Sequence, residues 1–310
     1  MNPMKGEVNA AGETAEPKWP GKEVFSLAKQ FQLAGGGMAM RWPAGGRLAG
    51  LQSSGLEIAD FRAYSQGDDF RFIDQYALAR LDQLVVRLFH DRKSLPLTIF
   101  LDTSASMNFG QPNKFRMARD LALVFSLAAL RHGGRLAVAQ NAGSASDDIA
   151  MRKFDRPQAA AGLIQWLRHT SANARQSSES SIRRIMATIP SHGLLLVISD
   201  FLPPADMANI VPLSATIHRR MAVLQVLAPQ ELYPIDAPAS ELIDSETGRR
   251  RPVAAGPEAA AQYRKNIAKW IAQSQGAARL HGVPWIVCAT SEPLRKILLN
   301  RALMTARSRE

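Results

Sequence analysis

Three oxygen-bearing side chains follow an apolar run near residue 100. The run Leu97–Leu101 is followed by Asp102, Ser104 and Ser106, at alternate positions of the chain. The apolar run predicts a buried strand that delivers Asp102 to its carboxyl end, the edge where ligands bind in open α/β sheets. Carboxylate and hydroxyl oxygens are hard ligands that suit Mg²⁺ or Mn²⁺ better than zinc. The pattern therefore predicts a divalent-cation site that grips a partner.

A second carboxylate ends another apolar run. Residues 193–199 are followed by Asp200, and the sequence Phe201-Leu202-Pro203-Pro204 then stops the strand. In a parallel sheet the carboxyl ends of the strands share one edge, so we expect Asp102 and Asp200 to converge. This convergence strengthens the prediction of a metal site.

A third loop is expected to supply another hydroxyl ligand. The serine-rich stretch 176–181 lies just before a predicted helix. Ser180 is the preferred ligand, because the core-facing places of that helix then fall to Ile182 and Met186. The alternatives within the stretch are Ser178 and Ser181.

The sequence contains no convincing catalytic constellation, and we expect no enzymatic activity. The six histidines are scattered without H-x-x-x-H spacing, and no Gly-rich loop matches the phosphate-binding pattern. Asp102 as a covalent phosphate acceptor is a weaker alternative. Enzymes of that haloacid dehalogenase type carry a second acid two residues on, where this chain has Ser104. The single cysteine, Cys288, excludes an internal disulfide.

Alternating strands and helices must position these side chains. Strands are predicted at residues 83–89, 97–101, 135–139, 148–154, 193–200, 220–227 and 284–288. Helices are predicted at residues 23–34, 114–132, 157–168, 181–189, 258–275 and 293–306. This alternation predicts an α/β fold, doubly wound, with a mainly parallel sheet and helices on both faces.

The composition is that of an ordinary globular protein with a basic balance. The 310 residues are 46% hydrophobic and 21% charged, with a formal net charge of +11. A basic balance favours nucleic acid or an anionic membrane surface, but aromatics are not interleaved with the basic residues. A solvated basic face or an acidic protein partner is the preferred interpretation. No apolar run reaches the ~18–20 residues of a membrane span, and we expect a cytoplasmic protein.

The segment ahead of the first sheet strand resembles a known family. Within residues 55–80 it carries Glu57, Arg62, Tyr64, Gly67, Asp68, Asp69, Arg71, Asp74 and Arg80. Together with Asp102, its two serines and Asp200, this element resembles the domain-of-unknown-function family fifty-eight. Members of that family are von Willebrand factor A domain proteins associated with MoxR-type AAA+ ATPases. Residues 227–232 and 242–248 are similar to a later signature of the family, a small hairpin before the long helix.

The resemblance implies a domain organisation and a partnership. A polar composition with Gly and Pro predicts a flexible N-terminal region, at residues 1–40. The resemblance implies a small β-containing family segment at 41–94 and a von Willebrand A-like domain at 95–310, with a hairpin insertion near 230–256. Members act with a MoxR-type ATPase in chaperone-like maturation or assembly. The acids and arginines of the family element are then structural or interface residues. An acidic protein ligand would bind at the metal, and no specific nucleic acid is expected.

Two alternatives to a working metal site stay open. The family's usual Gly-Gly-Thr-Asp in the second metal loop is replaced here by residues 176–181, so the fold could serve as a metal-free docking scaffold. The other alternative, suggested by the basic charge, is a protein that binds nucleic acid or an anionic membrane surface, including peripheral membrane association.

Overall fold

The computed structural model describes residues 19–33, 57–65, 84–90, 96–131, 135–141, 149–174, 178–189, 193–202, 210–212, 220–233, 240–243, 250–253 and 256–298. The strands in this part of the chain are β1 Glu57–Ala63, β2 Val85–His90, β3 Leu97–Leu101, β4 Leu136–Asn141, β5 Ile149–Phe154, β6 Leu194–Ser199, β7 Arg220–Leu227, β8 Ser240–Ile243, β9 Arg250–Val253 and β10 Trp285–Ala289. The α-helices are α1 Lys22–Leu33, α2 Lys114–Arg131, α3 Ala160–Arg168, α4 Ser178–Thr188, α5 Pro229–Leu232, α6 Pro257–Leu280 and α7 Leu294–Leu298.

Six of the strands form one sheet, in the order β10-β7-β6-β3-β4-β5. Strands β10, β7, β6, β3 and β4 run parallel to one another, and β5 pairs antiparallel with β4 at the edge. The predicted α/β fold with a mainly parallel sheet is therefore confirmed. From the central strand β3 the chain runs to β4 on one side and later to β6 on the other, so the strand order reverses between β3 and β6. Such a switch point opens a crevice at the carboxyl ends of the two strands.

Burial explains why the central strands are continuous apolar runs. Every residue of β6 is buried, and so are Ile99, Phe100 and Leu101 of β3. A parallel strand covered on both faces needs apolar side chains at successive positions rather than at alternate ones. The helix α2 is buried without interruption from Leu121 to Leu130, in agreement with its apolar sequence.

Several helices begin or end at other residues than predicted. Helix α4 begins at Ser178 rather than at residue 181, and α6 continues to Leu280 rather than ending at residue 275. In the predicted helix 157–168, the first turn is a 3₁₀ helix at Pro157–Ala159. The serines at the start of α4 and Gly276 in α6 lie within these helices, and helix ends are the least sharply defined part of a helix.

Two small sheets lie outside the six-stranded sheet. Strands β1 and β2 pair antiparallel, with a register shift between Ile58 and Asp60, and β8 pairs antiparallel with β9 where a hairpin was predicted. Helix α1, which lies within residues 1–40, packs against α2. No helix among the described residues has both the length and the hydropathy needed to cross a bilayer.

Candidate metal site

Asp102 lies at the carboxyl end of β3 and is 1% exposed. Its Oδ1 accepts a hydrogen bond of 2.9 Å from the Ser104 backbone N–H. Its Oδ2 accepts hydrogen bonds from the hydroxyls of Ser178, at 2.7 Å, and Ser199, at 2.5 Å. Three donors from three segments of the chain therefore fix this carboxylate at the switch point.

The protein leaves the charge of Asp102 only partly compensated. Burial raises the pKa of Asp102 above its ordinary value, and the negative charge of Asp200 raises it further. The hydrogen bonds from Ser199, Ser178 and Ser104 act in the opposite direction without cancelling the effect. A cation placed beside this carboxylate would stabilise its ionised form.

The hydroxyls of Ser104 and Ser106 are the second part of the site. Both residues are buried, and their Oγ atoms lie 3.0 Å apart. Two neighbouring oxygens of an octahedral Mg²⁺ shell with metal–oxygen distances of about 2.0–2.1 Å lie roughly 2.9 Å apart. The donor type and the spacing of the two hydroxyls therefore fit Mg²⁺.

The loop that carries these serines is held by backbone and side-chain contacts. Ser104 forms an isolated parallel bridge with Ala174, in which the Ala174 N–H donates to the Thr103 carbonyl at 2.8 Å. The Thr103 N–H donates to Asn141 Oδ1 at 2.9 Å. Asn141 ends β4 at the same sheet edge, and we did not predict its role. The sequence signal that could have identified Asn141 is its place as a polar residue at the end of a buried strand.

The serine-rich stretch brings the hydroxyl of Ser178 to the carboxylate of Asp102. Ser178 is buried against Asp102, whereas Ser180 is exposed on the same helix. Residues that share a helix face are three or four positions apart, so the face of Ile182 includes Ser178 and excludes Ser180. The prediction that Ile182 and Met186 face the core is confirmed. Ser178, one of the alternatives within the stretch, is bonded to Asp102, and the role of Ser180 as a metal ligand stays a prediction.

The charge of Asp200 acts on Asp102, but the carboxylate of Asp200 forms its own ion pair with Lys114. Its Oδ2 accepts a hydrogen bond of 2.7 Å from Lys114 Nζ, and neither side chain of this ion pair is exposed. Its Oδ1 accepts the Leu202 N–H at 3.1 Å. Its backbone carbonyl accepts a hydrogen bond of 3.3 Å from Gln225 Nε2. The second carboxylate is therefore already paired with a cation of the protein.

Lys114 and Glu231 are site residues that the sequence did not reveal. Lys114 Nζ also contacts Glu231 Oε1 at 2.5 Å, and Glu231 Oε2 accepts the Ala228 N–H at 2.8 Å. Burial alone lowers the pKa of Lys114, but the charges of Asp200 and Glu231 outweigh it and raise the pKa. The ammonium therefore stays charged inside the protein. Burial also raises the pKa of Glu231, against the lowering effect of Lys114.

Phe201, directly after Asp200, has a backbone conformation that is rare for a bulky residue. Its φ is 57°, in the left-handed region. Its N–H donates to Ser199 Oγ at 2.9 Å, and its buried ring lies 4.8 Å from that of Trp285. Strained backbone of this kind persists where the surroundings hold it, and it is concentrated at functional sites.

The family element is described only in part. Glu57 and Arg62 lie in β1, and the Tyr64 N–H donates to the Leu84 carbonyl at 2.9 Å. The other predicted members lie outside the described residues, namely Gly67, Asp68, Asp69, Arg71, Asp74 and Arg80.

A second kind of metal site, built from histidine, cysteine or acidic side chains alone, is not found among the described residues. No three histidine, cysteine or acidic residues are grouped there as metal ligands, so the candidate site depends on hydroxyls as well as carboxylates. Burial raises the pKa of the Cys288 thiol to about 12, which makes it a packed side chain rather than a nucleophile.

The fold and the site together define an α/β protein with a cluster of oxygen donors at the switch point of its sheet. The model of the family described as "Protein of unknown function DUF58" matches residues 60–276, and the chain belongs to this family. The family predicted from residues 55–80 is thus confirmed.

Curated relatives resemble the chain in sequence, and solved structures resemble it in shape. Uncharacterised proteins of Mycobacterium tuberculosis and Mycobacterium bovis are 26% identical over 237 residues, 73% of this chain and 74% of theirs. The conserved hypothetical protein BatB from Bacteroides thetaiotaomicron has a TM-score of 0.39 at 14% identity, over 66% of this chain and 95% of that one. An aerotolerance-related membrane protein from Bacteroides fragilis has a TM-score of 0.42 at 18% identity, over 67% and 98%. Both TM-scores are low, and nothing about this chain's function follows from them.

Proposed function

We propose that this chain is a non-enzymatic protein-binding module with a Mg²⁺-dependent adhesion site on a doubly wound, von Willebrand factor A-like sheet. The observation that carries the proposal is the pair of hydroxyls of Ser104 and Ser106, 3.0 Å apart, in the loop whose Ser104 N–H bonds the buried Asp102 carboxylate. These donors lie where the strand order reverses, which is the usual ligand position in such sheets.

An ion at this place would be held by the two hydroxyls, with Asp102 supplying negative charge. The ion would supply a positive charge that an Asp or Glu carboxylate of a partner can ligate. Charge-assisted contacts of this type are stronger than neutral hydrogen bonds. We propose that the module uses this grip in the cytoplasm, together with a MoxR-type AAA+ ATPase, during maturation or assembly of other proteins.

Titration calorimetry with Mg²⁺ tests the metal site. The hydroxyls of Ser104 and Ser106 contact each other, so the double variant S104A/S106A removes two ligands at little structural cost. We expect it to lose Mg²⁺ binding, while S274A, which removes a buried hydroxyl bonded to the Trp270 carbonyl at 2.8 Å, keeps it. Equal Mg²⁺ affinity in wild type and S104A/S106A would contradict the site.

Capture of a MoxR-type ATPase from the same genome tests the partnership. We expect the wild-type chain to retain the ATPase in Mg²⁺ and to release it in EDTA, and we expect S104A/S106A to retain little in either buffer. Equal retention of the ATPase by both proteins in both buffers would exclude a metal-dependent grip.

A metal-free docking scaffold is the second candidate function. It is favoured by the 2.7 Å ion pair between Lys114 and Asp200, which gives the second carboxylate a cation from the protein itself. In this version Mg²⁺ produces no calorimetric heat, and partner capture is unaffected by EDTA.

A further inference from the structure

A buried lysine lies between two carboxylates at the edge of the candidate site. Lys114 is the first residue of α2 and its side chain is 0% exposed. Its ammonium contacts Asp200 at 2.7 Å and Glu231 at 2.5 Å, residues 86 and 117 positions away in the chain. A buried charge is retained only where its partners compensate the loss of water, so the three groups form one electrostatic unit.

The positions of both carboxylates are fixed by other contacts. Glu231 Oε2 accepts the Ala228 N–H at 2.8 Å, which leaves Oε1 for Lys114. Asp200 Oδ1 accepts the Leu202 N–H at 3.1 Å, which leaves Oδ2 for the same ammonium. The ring of Phe109 lies 5.7 Å from Lys114 Nζ and adds a further favourable contact for a cation. The ammonium is therefore shared between two acids that cannot move away independently.

We propose that Lys114 is a tethered counter-cation that sets the divalent-cation affinity of the site formed by Asp102, Ser104 and Ser106. Glu231 acts through Lys114 as a positioning residue, because it draws part of the ammonium's charge away from Asp200. This inference rests on the proposed function, since it concerns the same metal site.

The direction of each effect follows from the charges. Asp102, Asp200 and Glu231 contribute three negative charges, and Lys114 contributes one positive charge. Removing the ammonium increases the negative potential at the hydroxyls of Ser104 and Ser106 and frees Asp200 for the ion. Removing the charge of Glu231 does the opposite, because the ammonium then neutralises Asp200 alone. In a buried site such charges are weakly screened, so each change is worth about tenfold in affinity.

Calorimetric Mg²⁺ titrations of wild type, K114M, E231Q and the double variant test the proposal. We expect K114M to bind Mg²⁺ about tenfold more tightly and E231Q about tenfold more weakly. We also expect E231Q to change the Mg²⁺ affinity less in the K114M background, because Glu231 acts through the Lys114 ammonium and K114M removes it. The matched controls are K296M and E292Q, which break an exposed ion pair of 2.6 Å and are expected to leave the affinity unchanged.

The outcomes separate this inference from the proposed function. If the wild type binds no Mg²⁺ and K114M does, the wild-type metal site fails while the role of Lys114 is supported. If the wild type binds Mg²⁺ and folded K114M or E231Q bind it with unchanged affinity, the role of Lys114 is overturned and the site stands. Absence of binding in wild type and K114M overturns both.

Folding of K114M is followed by circular dichroism, since the variant leaves Asp200 buried without its partner. If K114M is unfolded without Mg²⁺, folding on addition of millimolar Mg²⁺ supports the inference, because the ion then replaces the ammonium. A chain that stays unfolded contradicts it.

Discussion

The carboxylate of Asp102 has a structural role as well as a proposed chemical one. It accepts hydrogen bonds from the Ser104 backbone and from the hydroxyls of Ser178 and Ser199. An alanine at position 102 would leave these buried donors without an acceptor, at about 1–3 kcal/mol for each unsatisfied group. An asparagine keeps the shape and one acceptor oxygen.

We therefore expect D102A to lower the free energy of unfolding by about 3 kcal/mol and D102N by about 1 kcal/mol. Both variants should lose Mg²⁺ binding, because both remove the charge. Urea unfolding and calorimetry on the two proteins measure the two effects separately. D102A as stable as the wild type would show that the three hydrogen bonds are not what fixes this edge.

The hydrogen bond from Ser178 to Asp102 gives a second prediction at this scale. Ser178 donates to a buried carboxylate, and a hydrogen bond to a charged group is worth about 1.5–3 kcal/mol. We expect S178A to destabilise by about this amount and to weaken Mg²⁺ binding. Its matched control is S180A, at an exposed position of the same helix, with an effect within about 0.5 kcal/mol. Urea denaturation with Mg²⁺ titration checks both variants, and a larger loss of Mg²⁺ affinity in S180A than in S178A would favour Ser180 as the ligand.

Which site residues could be predicted depended on what the sequence encodes locally. Asp102 and Asp200 end apolar runs, so strand periodicity was enough to place them at one edge. To choose Ser178, one must know at which residue α4 begins, and a stretch rich in serine does not define that residue. Lys114 and Glu231 meet through tertiary packing 117 positions apart. A lysine that begins a helix is ordinarily solvated, so nothing local marks it as buried.

Among the elements, the buried strands were predicted most accurately. The bounds of Leu97–Leu101 and Arg220–Leu227 agree with those predicted, because buried strands are bounded by abrupt changes of hydropathy. Helix bounds were less accurate, since α4 and α6 extend through polar residues. The alternating pattern does not predict the antiparallel direction of β5 against β4, because strand direction depends on the connection between the two strands rather than on their sequence.

A loop–helix contact beside Lys114 gives a prediction about glycine. Gly110 has a φ of +90°, and a Cβ built there would lie in steric overlap with the Ala228 side chain. We expect G110A to destabilise by about 2 kcal/mol or more. Gly162 lies in α3 with open space around it, so G162A should stabilise by about 0.5–1 kcal/mol. Thermal unfolding of the two variants measures this contrast, and G110A with wild-type stability would contradict the close contact.

The docking of α1 on α2 gives a prediction about pH. Trp19 Nε1 donates to Asp120 Oδ1 at 2.8 Å, and burial raises the pKa of Asp120 above its ordinary value, against the opposing effects of Trp19, Arg116 and Arg119. Glu23 raises the pKa further. A carboxyl group with a raised pKa in the folded state stabilises the protein below its unfolded pKa, and this contribution is lost as the pH rises.

D120N removes this titration while keeping an oxygen acceptor for Trp19. We therefore expect the stability of D120N relative to wild type to increase as the pH rises from about 4 through the raised pKa of Asp120. Urea unfolding at a series of pH values gives the measurement. A constant difference between the two proteins at all pH values would contradict the raised pKa.

At the scale of the whole molecule, an ion that binds only the folded chain must stabilise it. The stabilisation is RT ln(1 + [Mg²⁺]/Kd), or about 2.7 kcal/mol at about a hundred times the dissociation constant. We expect urea unfolding to move to higher denaturant in Mg²⁺ and to return in EDTA, with no such shift in S104A/S106A. Equal midpoints in both buffers would favour the metal-free scaffold.

The contacts of Trp285 carry a consequence for spectroscopy. Of the five tryptophans in the chain, Trp285 lies in β10, with its Nε1 bonded to Gln225 Oε1 at 3.0 Å. Gln225 in turn contacts the Asp200 carbonyl, and the Trp285 ring lies 4.8 Å from that of Phe201. Indole emission depends on the polarity and motion of such neighbours. Intrinsic fluorescence of a variant that retains Trp285 and has phenylalanine at the other four tryptophan positions should therefore report events at Asp200 without any attached dye.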